Sequence, residues 1–330
     1  FSPNIIMNGK EPVEFSAFHL SIYEDSTCVD YPSISAVLEQ YYAKKNENTR
    51  IRQKSVDLRK IVSNTLERER KKYELQKKQL KDTEKREKYK VYGELLTTYG
   101  YQAKEGDKSL EAMNYYTNEM IKIPLDETLS PLENAKKYFN KYAKLKRTYQ
   151  ALTELTTETE TEIEHLESIA TSLDIATQED DLSEIREELV AYGYLRKKSG
   201  EKKKKSKSKP LHYVSSDGYH MYVGKNNYQN DELTFKFAVG NDWWFHAKGM
   251  PGSHVIVKTN GDELPDATFE EAAKLAAYYS KGRENPKVEI DYLEKKNVKK
   301  PSGAAPGFVI YYTNYSMPIE PDITGITQIE

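Results

Sequence analysis

Four side-chain amides fall within five positions, Asn226, Asn227, Gln229 and Asn230, directly after Gly224 and Lys225. A carboxamide pairs a donor with an acceptor, the chemistry that reads base edges or holds sugar and phosphate. The plainer alternative is a turn, because Asn tolerates left-handed backbone. Four amides in one turn exceed what a turn needs, and Lys225 beside them adds a phosphate-neutralising charge. Downstream, Trp243, Trp244 and Phe245 alternate faces if extended. At least one large ring then belongs to a core, and Trp244 is assigned to stacking on a base. His246, Lys248, Ser253 and His254 flank the turn Gly249-Met-Pro-Gly. Two histidines with a serine invite a nucleophilic or metal reading, but no Cys lies nearby and no Asp sits at an orienting spacing. Hydrogen bonding or phosphate contact suits them better, and the turn itself presents backbone N–H groups suited to an anion. Lys295, Lys296, Lys299 and Lys300 precede Pro301-Ser-Gly-Ala-Ala-Pro-Gly. Phosphate contact there competes with ordinary solvation of a charged loop.

Charge limits where a polyanion can bind. The 330 residues have a net charge of only −2. Residues 1–195 hold 29 basic against 35 acidic residues, and 210–330 hold 12 against 16. Residues 196–209 hold nine basic residues against Glu201 alone. No domain-wide basic field exists, so polyanion binding must be local. The single cysteine, Cys28, rules out an internal disulfide framework and favours a reducing, cytoplasmic setting. No apolar run approaches the roughly 18–20 residues of a membrane helix, so no membrane association is expected. The start at Phe1, without Met, reads as the later part of a longer protein.

The elements that position these residues differ in texture. Residues 1–32 read as a short lead-in with brief strands. Residues 33–97 read as one helix, with Ser33 as N-cap after Pro32 and no Gly or Pro before Gly93. Its apolar residues, such as Ile51, Leu58, Val62 and Leu66, are too sparse for a globular core but suit a coiled-coil seam. About 60 such residues reach roughly 90 Å. Gly93 reads as a hinge into a tip, 98–130, where Ile121-Lys-Ile-Pro-Leu alternates like a strand. Residues 131–196 read as the returning helix followed by a short helix that ends at Gly193, a natural C′ residue. The Lys/Ser-rich stretch 197–210 reads as a disordered linker. Residues 211–330 hold short β-rich runs at 219–223, 243–247, 254–258, 288–292, 308–312 and 317–319, and one Ala-rich helix from Thr268 to about Lys281. The fold class expected is α+β: a long antiparallel coiled-coil arm with a small α/β tip, then a compact mixed α+β domain.

Several of these stretches resemble a known family. Gly224-Lys-Asn-Asn-Tyr-Gln-Asn-Asp, Trp244-Phe-His-Ala-Lys, Pro251-Gly-Ser-His-Val and Val298-Lys-Lys-Pro-Ser-Gly-Ala-Ala-Pro-Gly are similar to the RNA-binding NFACT-R domain of NFACT proteins. Asn134-Ala-Lys-Lys-Tyr-Phe-Asn-Lys-Tyr and Ile185-Arg-Glu-Glu-Leu resemble the coiled-coil and middle region of the same family. The resemblance is to the C-terminal part of the bacterial RqcH type, also labelled fibronectin-binding protein A-like, without its N-terminal domain. It implies a non-enzymatic, cofactor-free factor of ribosome-associated quality control. Its partners would be the large ribosomal subunit (rRNA and the stalk-base region), tRNA, and its own N-terminal domain in the full-length protein. The family supports alanine tailing of stalled chains through an Asp-Arg element. No Asp-Arg dipeptide occurs here, so tailing by this chain alone is not expected. Combined with the residue chemistry, this gives an RNA-facing surface of Lys225, Asn226, Asn227, Gln229, Asn230, Trp244, His246, Lys248, Ser253, His254, Lys299 and Lys300. Two alternatives stand beside it: a surface adhesin binding fibronectin, and an RNA-processing enzyme using His246 and His254.

Overall fold

The computed structural model describes residues 1–8, 11–23, 26–104, 106–197 and 208–329. In chain order the elements are β1 (Asn4–Asn8), β2 (Glu11–Ser16), β3 (Thr27–Asp30), α1 (Ile34–Asp82), α2 (Arg86–Tyr99), β4 (Ser109–Asn114), β5 (Glu119–Pro124), α3 (Pro131–Ile175) and α4 (Glu179–Ala191). There follow β6 (Leu211–Val214), β7 (His220–Val223), α5 (Asn227–Glu232), β8 (Trp243–Ala247), β9 (Val255–Val257), α6 (Asp266–Tyr278), β10 (Val288–Glu294), β11 (Tyr315–Ile319) and β12 (Thr327–Ile329). The chain divides into two compact units, one made of 1–66 with 164–330 and the other of 67–163. No helix among the described residues is long and apolar enough to cross a membrane.

In the first unit, β1 is central in a three-stranded sheet of order β2-β1-β3. Its Ile5 and Met7 pack on Val37 and Tyr41 of α1. Ser33 caps α1 as expected, accepting the Ala36 N–H at 3.2 Å. Farther along, Leu58, Val62 and Leu66 are buried at helical spacing, as are Leu166, Ile169 and Leu173 of α3 and Leu182, Ile185 and Leu189 of α4. Each set marks one stripe of an amphipathic helix. Arg59 ties α1 to the end of α3 through Asp174 and the Leu173 carbonyl. α4 stops at Gly193, whose φ of +76° is a left-handed C′ geometry.

The same unit holds a seven-stranded antiparallel sheet of order β11-β10-β8-β9-β7-β6-β12. α6 lies on one face, where small Ala272, Ala273, Ala276 and Ala277 let it approach Phe245, Val255, Val257 and Ile290. The opposite face buries Trp244, Ile256 and Leu293 under Leu233, Ala238 and Val298. A strand sends neighbouring side chains to opposite faces, so Trp244 and Phe245 are both fully buried, one in each layer. Strands β6 and β12 and helix α5 were not expected from the sequence. The expected strand at 308–312 reduces to one bridge between Lys299 and Ile310.

The second unit contains the β4–β5 hairpin, where Leu110, Ala112 and Ile123 pack with Leu95, Leu96, Ala135 and Tyr138. Lys72 faces Glu162 at 3.7 Å, Tyr73 donates to Glu160 at 3.0 Å, and Arg86 lies 3.9 Å over the Tyr149 ring. Rising numbers on one side meet falling numbers on the other, so the helices pair antiparallel. Two expectations fail here. The helix expected over 33–97 breaks after Asp82, where the Thr83 hydroxyl bonds back to the Leu80 carbonyl. Gly93 is no hinge: it lies inside α2, and a Cβ there would sit 2.9–3.0 Å from the Phe139 ring. The glycine serves close packing. The expected disordered linker falls mostly on 198–207, outside the described residues.

Candidate functional site

The amides occupy a short helix, not a turn. Asn226 is the N-cap of α5, its side-chain oxygen accepting the Gln229 N–H at 2.9 Å. Gln229 reaches back and accepts the Lys225 N–H at 3.0 Å, a reciprocal arrangement akin to a capping box. Asn230 holds the next loop: its oxygen accepts the His254 N–H at 3.0 Å and its nitrogen donates to the Gly252 carbonyl at 3.3 Å. Gly224 is obligatory because a Cβ would meet the Asn230 side-chain oxygen at 2.2 Å. The remaining amide donors point at α3 and α4. Asn226 donates to Glu184 at 2.6 Å, Gln229 to Glu184 at 3.2 Å and to the Ser208 carbonyl at 3.2 Å. Asn227 donates to Ser168 and to Glu188, each at 2.8 Å. Glu188 in turn meets His165 Nε2 at 2.8 Å.

Lys225 completes this clasp. Its ammonium lies 2.6 Å from Asp181, and the two side chains are 3% and 1% exposed. Asp181 also accepts the Thr177 and Gln178 N–H groups at 2.9 and 3.0 Å, and the Ser208 hydroxyl. Such burial is tolerated because the two charges pair with each other and Asp181 gains further donors. The expected RNA-facing surface is therefore corrected for Lys225, Asn226, Asn227, Gln229 and Asn230. All five are buried and spend their hydrogen bonds inside the chain. The acidic partners Asp181, Glu184 and Glu188 escaped the sequence reading. Their spacing of three and four residues, alongside the Leu182-Ile185-Leu189 stripe, was the signal that α4 has a polar face needing donors.

The aromatic and histidine assignments change as well. Trp244 is fully buried and cannot stack on a base. Ser253 and His254 are each 1% exposed. His254 Nδ1 bonds Thr234 Oγ1 at 2.7 Å, and its ring meets Trp244 edge-on at 5.0 Å. Among the described residues Ser253 Oγ has no hydrogen-bond partner, so the structure shows no serine–histidine contact of the kind nucleophilic catalysis requires. Burial holds His254 well below the usual imidazole range, and the neighbouring His246 pushes the same way. His246 is partly buried. Desolvation pushes it down to about 4 against the opposing pull of Asp291. Both rings are neutral at pH 7. No group of three or more His, Cys, Asp or Glu among the described residues is placed to hold a metal.

Three assigned residues are at the surface. Lys248 is exposed but tied to Glu289 at 2.9 Å, which raises its pKa. Lys300 pairs with Asp231. Lys299 is exposed and makes no ion pair among the described residues. Around them the structure brings up Phe235, Lys236 and Phe237, which the sequence reading passed over, beside the lysines it had named. Lys295 and Lys300 both flank the Phe235 ring, at 6.0 and 5.9 Å. Phe235 belongs to a π-turn over Leu233–Phe237, closed by the Ala238 N–H to the Leu233 carbonyl at 2.8 Å. The wider turn leaves Phe237 40% exposed and Lys236 exposed beside it. A partly buried ring with two ammonium groups over it joins apolar surface to phosphate-neutralising charge.

Residues 1–208 match the family described as NFACT N-terminal and middle domains, and 209–312 match the NFACT protein RNA binding domain. This overturns the expectation that the N-terminal domain is wholly missing. The acids of the clasp lie in the first match and its amides in the second. The chain is 44% identical over 292 residues to the Rqc2 homolog RqcH of Streptococcus suis, covering 88% of this chain and 52% of that protein. It is 42% identical over 301 residues to the Streptococcus pneumoniae D39 protein of that name, covering 91% and 54%. For the Bacillus subtilis one the identity is 38% over 336 residues, covering 100% and 58%. The chain thus spans about half the length of the curated relatives it matches. A solved structure, the C-terminal part of the fibronectin/fibrinogen-binding protein from Streptococcus suis, superposes with a TM-score of 0.66 at 38% identity, covering 82% of this chain and 96% of that one. By both domain matches and by these relatives, the chain belongs to the NFACT family.

Proposed function

We propose that this chain is an RNA-binding part of a ribosome-associated quality control factor, with no catalytic step of its own. The observation that carries the proposal is the lysine–aromatic strip within the segment matched to the RNA binding domain. There Lys295 and Lys300 both lie over the Phe235 ring, and Lys236 and Lys299, each a chain neighbour of one of these residues, are exposed. The strip needs no domain-wide basic field, which the charge distribution excludes. In the fuller form of the proposal, the strip contacts tRNA or rRNA on a cytoplasmic large subunit that still carries peptidyl-tRNA. The complete protein then supports alanine tailing. The test is cosedimentation of the chain with large subunits across a salt series. Removing Lys295 and Lys299 together should weaken binding and lower the salt slope by about one unit per lysine. Unchanged affinity and slope would refute the strip as the RNA site.

One observation favours a second reading: the solved neighbour is named a fibronectin/fibrinogen-binding protein. If this chain binds fibronectin at the cell surface, labelling of intact cells should reach it, and it should leave the ribosomal fractions.

A further inference from the structure

On the α6 face of the seven-stranded sheet, opposite Trp244 and the buried histidines, four aromatic rings gather at the open end of the core. Trp243 meets Phe269 at 4.7 Å, Tyr292 at 5.9 Å and Tyr315 at 6.4 Å between ring centroids. Tyr292 and Tyr315 stack at 5.5 Å with 29° between planes. The rings, with Met317 and Ile319, line an open hollow of about 560 Å³. Asp266 and Glu270 line the same hollow from the first turns of α6. They are four residues apart, so both carboxylates rise from one face of the helix.

Among the described residues, no hydrogen bond or ion pair engages Asp266 or Glu270, although both stand exposed at the rim. Asp266 suits the positive end of the helix, but Glu270 lies a full turn in, beyond that effect. Tyr315 is 64% exposed and Trp243 only partly covered, so ring surface remains open in the hollow. Aromatic faces attract a cation through their quadrupole, and the two carboxylates supply full negative charge at its edge. A planar group able to stack on a ring while donating in parallel to a carboxylate matches both features. Arginine has that shape, whereas a lysine ammonium is a hydrated point charge.

We infer that this hollow is a binding site for an arginine side chain presented by a basic peptide segment of a protein partner. Because it lies on the other sheet face, it is independent of the RNA strip and stands or falls without it.

The test uses the whole chain and the blocked pentapeptide Gly-Gly-Arg-Gly-Gly, with Lys and Glu peptides of the same frame as comparators. Trp244, the other tryptophan, is fully buried, so a ligand-induced fluorescence change reports Trp243. The arginine peptide should give a saturable change with a dissociation constant on the order of 1 mM at low salt. The lysine peptide should bind at least about fivefold more weakly, and the glutamate peptide not at all. The double variant Asp266→Asn, Glu270→Gln should weaken arginine binding at least about tenfold while leaving the melting temperature near that of the parent. Tyr315→Ala, at an exposed ring, should weaken it as well. No saturation up to about 50 mM, far beyond the expected range, would overturn the assignment. Equal binding of the lysine or glutamate peptide, or indifference to the loss of both carboxylates, would do so too.

Discussion

Lys225 separates two physical roles cleanly. If it neutralised phosphate, replacing it would weaken RNA binding and leave stability alone. The structure instead seals its ammonium 2.6 Å from Asp181, with 3% and 1% of the two side chains exposed. Lys225→Met keeps the length of the stem but strands the carboxylate. Breaking a buried pair from one side costs about 3–5 kcal/mol. Asp181 keeps other donors, from Thr177, Gln178 and Ser208, so the low end, about 3 kcal/mol, is expected. Asp181→Asn alone should cost a similar amount, because it strands the ammonium. The double variant should recover at least about 2 kcal/mol of the summed loss, since neither charge is then left unpaired. Urea unfolding followed by tryptophan fluorescence measures this, both tryptophans lying in β8 of the seven-stranded sheet. A Lys225→Met loss below about 1 kcal/mol, the range of an exposed pair, would refute the buried-clasp reasoning. So would additive single effects. A stable variant with a reduced salt slope for large-subunit binding would restore the phosphate role.

Three further outcomes follow from the packing. Gly93→Ala should destabilise the 67–163 unit by about 1–3 kcal/mol through overpacking on Phe139; a thermal melt that rises instead would mean helix propensity outweighs the contact. Trp244→Ala should cost about 3–5 kcal/mol. Trp244→Phe should cost far less, because the indole N–H is buried without a partner among the described residues and its loss removes a desolvation penalty; equal urea midpoints for the two variants would contradict this. The pH effect has a definite sign. His246 is pushed down to about 4 and His254 shifts the same way, so the unfolded chain takes up the protons first. Their contribution is full above about pH 6.5 and declines as pH falls toward the folded values. For His246 alone the loss approaches roughly 3 kcal/mol below about pH 4, and a urea midpoint that is flat from pH 7 to 5 would refute the assignment.

Residue order was enough to read the periodic elements. The helical spacing of Leu58, Val62 and Leu66, the Ser33 cap and the Gly193 stop all reappear as buried seams and helix ends. Alternation in Trp243–Ala247 likewise becomes β8. These signals are local, carried by residues within one or two turns of each other. The strands β6 and β12 were not read from the sequence. Gly93 looked like a hinge because sequence shows an absent side chain but not Phe139, which fills the space.

The site divides along the same line. Composition alone required any RNA contact to be local, and the lysines at 295–300 marked one end of the proposed strip. What composition could not say was which polar residues had partners. Amides and a lysine in a row look the same whether they meet phosphate or carboxylate. Only the fold brings Asp181, Glu184 and Glu188 up to them across some 40 positions of chain, turning a candidate nucleic-acid surface into an internal clasp. The reason is physical. A polar side chain acts on a ligand only if folding leaves its hydrogen bonds unspent, and that is a property of neighbours in space.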